Sequence, residues 1–165
     1  MATIIPKGII IHSMAEKLNT PVGVMGAHDF LKSINLSVHG FIHPDGEYEK
    51  MIESPNKALH AGVSQFGELK YLNSHFLGVE LLVKGTHDFA SFSKAILDPE
   101  TYTQAQYDKA VAVCQWWMKQ YSIPITNIVR HSDVSGDHIR GAGKGKTDPG
   151  PGFNWKVFKE KLVAK

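Results

Sequence analysis

The chain has 165 residues, of which 42% are apolar and 21% charged, with a formal net charge of +2 when histidines are neutral. A chain of that size makes one domain, residues 1–165, with a core that needs no staples, and so small a charge gives no argument for a nucleic-acid partner. A single cysteine, Cys114, excludes an internal disulfide framework, and no run approaches the roughly 18 apolar residues of a membrane span.

Taken in order, Lys7 to His12 reads as a strand buried on both faces, because three isoleucines run together between Gly8 and a polar Ser13. His12 is expected where that strand leaves the core. Met25 to Ile34 is expected as a short helix with Phe30, Leu31 and Ile34 on one side, and Ser37 to His43 as a second strand. Pro44-Asp45-Gly46 signals a hairpin turn, since proline presets one dihedral and glycine accepts positive φ. Glu47 to Ile52 is then its antiparallel partner. Ala58 to Ser64 has a loop composition whose small residues allow close approach.

Phe76 to Val83 reads as a third core strand, and Glu80 is its anomaly, a carboxylate set among Leu77, Val79, Leu81 and Leu82. Lys84 to Thr101 lacks a clear period and is expected as an irregular connection with a short helix around Phe89 to Leu97. The best-defined element is a helix from Gln104 to Tyr121. Tyr107, Ala110, Val111, Cys114, Trp117, Met118 and Tyr121 share one stripe, Thr103 with Gln106 makes a capping-box pattern, and Pro124 marks the end. Asn127 to Arg130 is a short strand delivering His131, and Trp155 to Val163 is a terminal helix. Strands and helices interleave, but the hairpin breaks strict βαβ order. The expected fold is therefore α/β, a single domain with a mixed central β-sheet flanked by helices.

Two strand-end histidines, His12 and His131, with one loop carboxylate make a three-ligand zinc site whose fourth position stays open to water, the arrangement of a catalytic site. Gly-Ile-Ile-Ile-His12, Leu-His60-Ala-Gly-Val-Ser, Leu-Gly78-Val-Glu80-Leu, Arg-His131-Ser-Asp and Gly-Lys146-Thr-Asp148-Pro-Gly-Pro follow one another along the chain. Together they resemble the zinc N-acetylmuramoyl-L-alanine amidases, a family that includes AmpD-like, envelope and phage amidases and the peptidoglycan recognition proteins. The likeness runs from about residue 7 to residue 158. It implies the amidase fold, one Zn2+ per chain held by His12, His131 and Asp148, and Glu80 with Lys146 as the catalytic pair. The bond cut would join the lactyl group of muramic acid to L-alanine of the stem peptide.

The likeness also bears on subtype. Phage lysozyme-like relatives carry a tyrosine before the second-strand histidine and a cysteine as third ligand; Val38 and Asp148 stand at those positions, as in the AmpD-like subtype. One departure is the segment Val134 to Gly145, longer than in AmpD-like relatives and readable as a flap, a contact to anionic wall or a surface loop. That departure inclines the reading towards a wall-lytic, endolysin-type enzyme acting on peptidoglycan. The alternatives are cytoplasmic recycling of anhydro-muropeptides, which the lack of a secretory-signal pattern at the N-terminus fits equally, and a non-catalytic peptidoglycan-binding module. A monomer is expected.

Among the remaining candidates, His60 divides between a substrate contact and a hydrogen bond within its loop. His39 is expected to pack or to support the site from behind, and Asp133 to orient the His131 loop through backbone bonds. Trp116, Trp117 and Trp155 are read as packing residues, and Cys114 as core.

Overall fold

Along the chain, β1 (Gly8–Thr20) is followed by the short β2 (Gly23–Gly26) and helix α1 (Ala27–Ser33). β3 (Gly40–Ile42) and β4 (Tyr48–Lys50) form one hairpin, and β5 (Gln65–Phe66) with β6 (Leu69–Lys70) a smaller separate one. Then come β7 (Phe76–His87), α2 (Phe89–Ala95) and α3 (Gln104–Tyr121). β8 (Ile128–Arg130) runs into α4 (His131–Ser135) and α5 (Asp137–Arg140), and α6 (Trp155–Val163) closes the fold. These elements are those of a computed structural model, which describes residues 1–164.

The main sheet has the order β2-β1-β7-β3-β4, with β8 on the same edge of β1 as β2 but at its other end. β1 is parallel to β7 and β8, β3 is parallel to β7, and β2 and β4 are the antiparallel outer strands. The mixed sheet flanked by helices is the expected architecture. One sheet face, with Ile9, Ile11, Leu77, Val79 and Leu81, packs on Ala110, Cys114 and Trp117 of α3 and on Phe158 and Leu162 of α6. The other face carries two smaller clusters. Ile10, Phe76 and Val129 meet Ala61, Leu72 and Val134, while Phe41 and Leu82 meet Ala27, Leu31 and Val38. Ile9, Ile10 and Ile11 have no exposed surface, and burial of each contributes about 1.5–3 kcal/mol. Strand alternation places His12 and Glu80 in the gap between the two smaller clusters.

The stripe of α3 faces the core as its spacing requires, with Ala110, Cys114 and Trp117 buried and Tyr107, Val111, Met118 and Tyr121 half-buried, and its capping box forms, with Thr103 accepting from the Gln106 amide at 3.1 Å. Gln106 is also wholly buried and donates to the carbonyls of Ile42 and Leu82, tying the helix start to two strands. Burial pushes the Cys114 thiol up to about 12, so it is a packing group and no nucleophile.

Several boundaries differ from expectation. The first strand does not end at His12 but continues to Thr20, because β7 pairs along its length while β8 and then β2 occupy its other edge. His12 is consequently inside a strand and not at its exit. The helix expected from Met25 starts at Ala27, since Met25 and Gly26 still pair with Leu18 and Lys17. The second strand shrinks to Gly40–Ile42 and its partner to Tyr48–Lys50. The connection after Val83 is partly regular: residues through His87 extend β7, and Asp88 caps α2 by accepting from the Ser91 amide at 2.8 Å. The Val134–Gly145 segment contains α5. The β5–β6 hairpin turns on Gly67, whose φ is +58°. No helix among the described residues is long and apolar enough to cross a membrane.

Candidate metal centre

Parallel pairing carries His12 and His131 to neighbouring positions. Ile10 and Ile11 lie opposite Val129 and Arg130, so the residue that follows each strand pair, His12 in β1 and His131 at the start of α4, falls side by side. Their ring centroids are 4.3 Å apart. Asp133 holds the turn into α4 by accepting from the Arg130 amide at 2.9 Å and from its guanidinium at 2.9 and 3.0 Å.

Asp148 arrives from a loop pinned at several points. Its Oδ2 accepts from the Ser13 amide at 3.1 Å, its carbonyl from the Ser132 amide at 3.1 Å, and the next carbonyl, of Pro149, from the Tyr102 hydroxyl at 2.6 Å. The carboxylate oxygens lie 3.1 and 3.2 Å from His131 Nδ1, and Oδ2 lies 3.6 Å from His12 Nδ1. One ligand atom from each of the three residues falls within 4.8 Å of the others, and all three side chains are buried.

The protonation pattern tests whether this trio suits a cation. His131 Nε2 faces the Ala61 carbonyl at 3.4 Å, and His12 Nε2 faces His60 Nδ1 at 2.8 Å. A carbonyl can only accept, so His131 Nε2 is placed to donate to Ala61, and with its proton there Nδ1 would offer a lone pair to a cation beside Asp148. Burial first, and the neighbouring His131 second, lower the His12 pKa to about 4, so His12 is neutral near pH 7. Burial alone would raise the Asp148 carboxyl, but His131 and His12 hold it well below the usual carboxylate range. Two imidazole nitrogens and a carboxylate thus face one small volume, a set of three donors for a cation. The donor set of two nitrogens and one oxygen fits a divalent metal.

Glu80 lies opposite His12 in the β1–β7 register and is 8% exposed. Its Oε2 has no hydrogen-bond partner among the described residues. Burial pushes its carboxyl well above the ordinary value, nearby Asp148 adds to the rise, and Lys146 opposes it. Lys146 stands exposed on the wall of an open groove shared with Met14, Phe92, Tyr102, Asp148 and Trp155. Its amide donates to the Ser135 carbonyl at 2.9 Å.

His60 is half-buried and points away from the groove side of the trio, towards the far nitrogen of His12. His39 is buried and bridges elements, accepting from the Gly78 amide at 3.0 Å and donating to the Asn56 carbonyl at 2.8 Å. Two residues near the centre were not singled out for it in the sequence, Asn73 and Arg140, the second read only as one of the basic residues of the Val134–Gly145 segment. Asn73 accepts from the amides of His60 and Ala61, and Arg140 donates to the Ala61 carbonyl. Both act on a loop distant in sequence, and neither belongs to a local pattern that would single it out.

Fold and centre together define a mixed-sheet protein that gathers two histidines and an aspartate beside a desolvated glutamate. The family profile of N-acetylmuramoyl-L-alanine amidase matches residues 2–151, and the chain belongs to that family. The 1,6-anhydro-N-acetylmuramyl-L-alanine amidase AmpD of Enterobacter cloacae is 35% identical over 140 residues, which cover 83% of this chain and 64% of that protein. The chain thus spans just under two thirds of that relative's length. Among solved structures, a selenomethionine derivative of AmpD superimposes with a TM-score of 0.68 at 25% identity, covering 96% of this chain and 85% of that one. The endolysin amidase LysCS of Clostridium intestinale shares the fold, with a TM-score of 0.66 at 21% identity over 98% of this chain and 86% of its own.

Proposed function

We propose that residues 1–165 form one catalytic domain that hydrolyses the amide between N-acetylmuramic acid and L-alanine, with zinc at His12, His131 and Asp148, in soluble 1,6-anhydro-muropeptides. The observation that carries the reading is the convergence of the three donors beside the unpartnered carboxylate of Glu80. Zinc bound there would lower the pKa of a water to about 7 and polarise the amide carbonyl. Glu80 takes the proton of the attacking water and passes it to the departing amine, a task suited to a carboxylate whose affinity for protons is raised by burial. Lys146 presents its ammonium to the oxygen that becomes negative, and a preorganised cation at that place is worth on the order of 3 kcal/mol.

The recycling substrate takes precedence over the wall-lytic reading favoured on sequence. The curated relative is a 1,6-anhydro amidase at 35% identity, whereas likeness to the endolysin is one of fold. The segment that inclined the sequence reading towards lysis packs on the loop behind the metal centre through Arg140. A cytoplasmic place of action follows from this substrate. A pure binding module is disfavoured, because it has no use for a desolvated, unpartnered glutamate beside three metal donors.

The test is zinc content of the purified protein, together with release of a free L-alanine amino terminus from two substrates. Turnover of the anhydro-muropeptide well above that of intact wall is expected. Preference for intact wall would restore the lytic reading, and bound substrate without cleavage would leave a binding module.

A further inference from the structure

Both histidines of the trio turn their far nitrogens to one strip of two residues. His60 Nδ1 lies 2.8 Å from His12 Nε2, and the Ala61 carbonyl lies 3.4 Å from His131 Nε2. His60 Nε2 is in turn 3.0 Å from the Phe76 carbonyl. Because that carbonyl only accepts, His60 carries its proton on Nε2 and keeps a lone pair on Nδ1. His12 must then donate from Nε2, which leaves the lone pair of its Nδ1 directed at Asp148. One backbone carbonyl at the start of β7 sets the tautomers of two imidazoles in series.

The strip is held from two sides. Asn73 Oδ1 accepts from the His60 amide at 2.9 Å and from the Ala61 amide at 2.7 Å. On the other side, Arg140 donates to the Ala61 carbonyl at 3.1 Å, to the Val63 carbonyl at 3.2 Å and to Ser135 Oγ at 2.7 Å, and Ser135 Oγ itself donates to Val63. Gly62, with φ of +59°, lets the strip bend towards this guanidinium; a β-carbon there would stand 2.7 Å from Arg140 Nη2. Arg140 belongs to the Val134–Gly145 segment, whose own shape is closed by Asp137 accepting from the amides of Gly143 and Gly145.

We infer that His60 and Arg140 are positioning residues of the metal centre: His60 fixes His12 in the tautomer that presents Nδ1, and Arg140 clamps the Ala61 carbonyl that does the same for His131. The inference rests on the proposed metal role of His12 and His131. It gives the Val134–Gly145 segment a task at the back of the metal centre, one that a flap over the groove would not perform.

Two measurements test it. The first is the imidazole 15N spectrum of the metal-free and the zinc-loaded protein, in which His12 and His60 are expected to carry their protons on Nε2 in both states and His131 in the zinc-loaded one. The second is zinc affinity by competition with a chromophoric chelator. His60→Ala and Arg140→Met should each weaken zinc roughly 10- to 100-fold, the range for lost support behind a metal ligand. His60→Gln, whose amide offers an acceptor and a donor in place of the two ring nitrogens, should recover most of that loss. A proton on His60 Nδ1, or wild-type zinc affinity in both folded loss variants, overturns the inference. If His60→Ala does not fold, the spectrum and Arg140→Met decide. If the wild-type protein takes up no zinc, the functional reading fails, while the metal-free spectrum still decides the tautomer chain.

Discussion

A β-carbon placed on Gly78 would stand 2.4 Å from His60 Nδ1, so the His60 ring fills the space that β7 leaves open at that residue. Gly78 lies between Phe76 and Glu80 on the same sheet face, and any side chain there would drive the ring off His12. Gly78→Ala is expected to destabilise the protein by about 1–3 kcal/mol in chemical denaturation, the cost of forcing atoms into a filled site. It should also weaken zinc binding, since the displaced ring can no longer accept from His12. Unchanged stability together with unchanged zinc affinity would show that the ring has room to move.

Glu80 supplies no atom to the converging trio, yet it is the buried carboxylate beside His12. Glu80→Gln is therefore expected to keep zinc at wild-type stoichiometry while kcat falls by roughly 10²- to 10⁴-fold, the range for loss of a general base. Metal analysis and the amino-terminus assay on one preparation check both halves. Full turnover in that variant would remove Glu80 from the chemistry.

Lys146 is exposed, and its backbone amide is fixed to the Ser135 carbonyl whatever the side chain. Lys146→Met should therefore leave fold and zinc content intact. Its expected effect is a loss of about 10²- to 10³-fold in kcat, the scale for one missing donor to a developing oxyanion. A change confined to KM would make Lys146 a substrate-binding group instead.

How much of this could be read from the chain alone differs residue by residue. His12 and Glu80 stand out because a polar group interrupts an apolar run, and a buried strand tolerates that only where the group has work to do. Asp148 carries no such mark; it sits among prolines and glycines, and only the family likeness singles it out. The length of β1 was hidden because Lys17 to Thr20 has no strand character of its own and is extended by pairing with β2 and β7. Arg140 was hidden for a related reason. Its partners at Ala61 and Val63 meet it through the tertiary fold, and no periodicity in the sequence encodes that meeting.

The pH dependence of the metal-free protein separates the buried histidines from Glu80. His12 is a base lowered from 6.5 to about 4 by burial and by His131, so below pH 6.5 the unfolded chain takes a proton that the folded one refuses. Its contribution to stability is therefore lost as pH falls from about 6.5 to about 4, with a slope near 1.4 kcal/mol per pH unit and a total of about 3 kcal/mol. Glu80 acts with the opposite sign. Its raised value lets the folded state keep a proton above pH 4.5, so stability is lost as pH rises beyond that point. Asp148, held low, contributes stability that is lost only as pH falls below its ordinary value of 3.8, outside this window. In the wild-type protein the Glu80 slope opposes those of His12, His39 and His60 between pH 4.5 and 6.5, and a shallower climb than in a variant without Glu80 is expected there. In Glu80→Gln the contributions of His12, His39 and His60, bases all lowered chiefly by burial, act without that opposition, so stability by urea denaturation in the presence of chelator should climb steadily from pH 4 to 6.5. At neutral pH and above, this variant should be more stable than the wild type. A flat profile in the variant would mean that the fold does not hold these three histidines neutral.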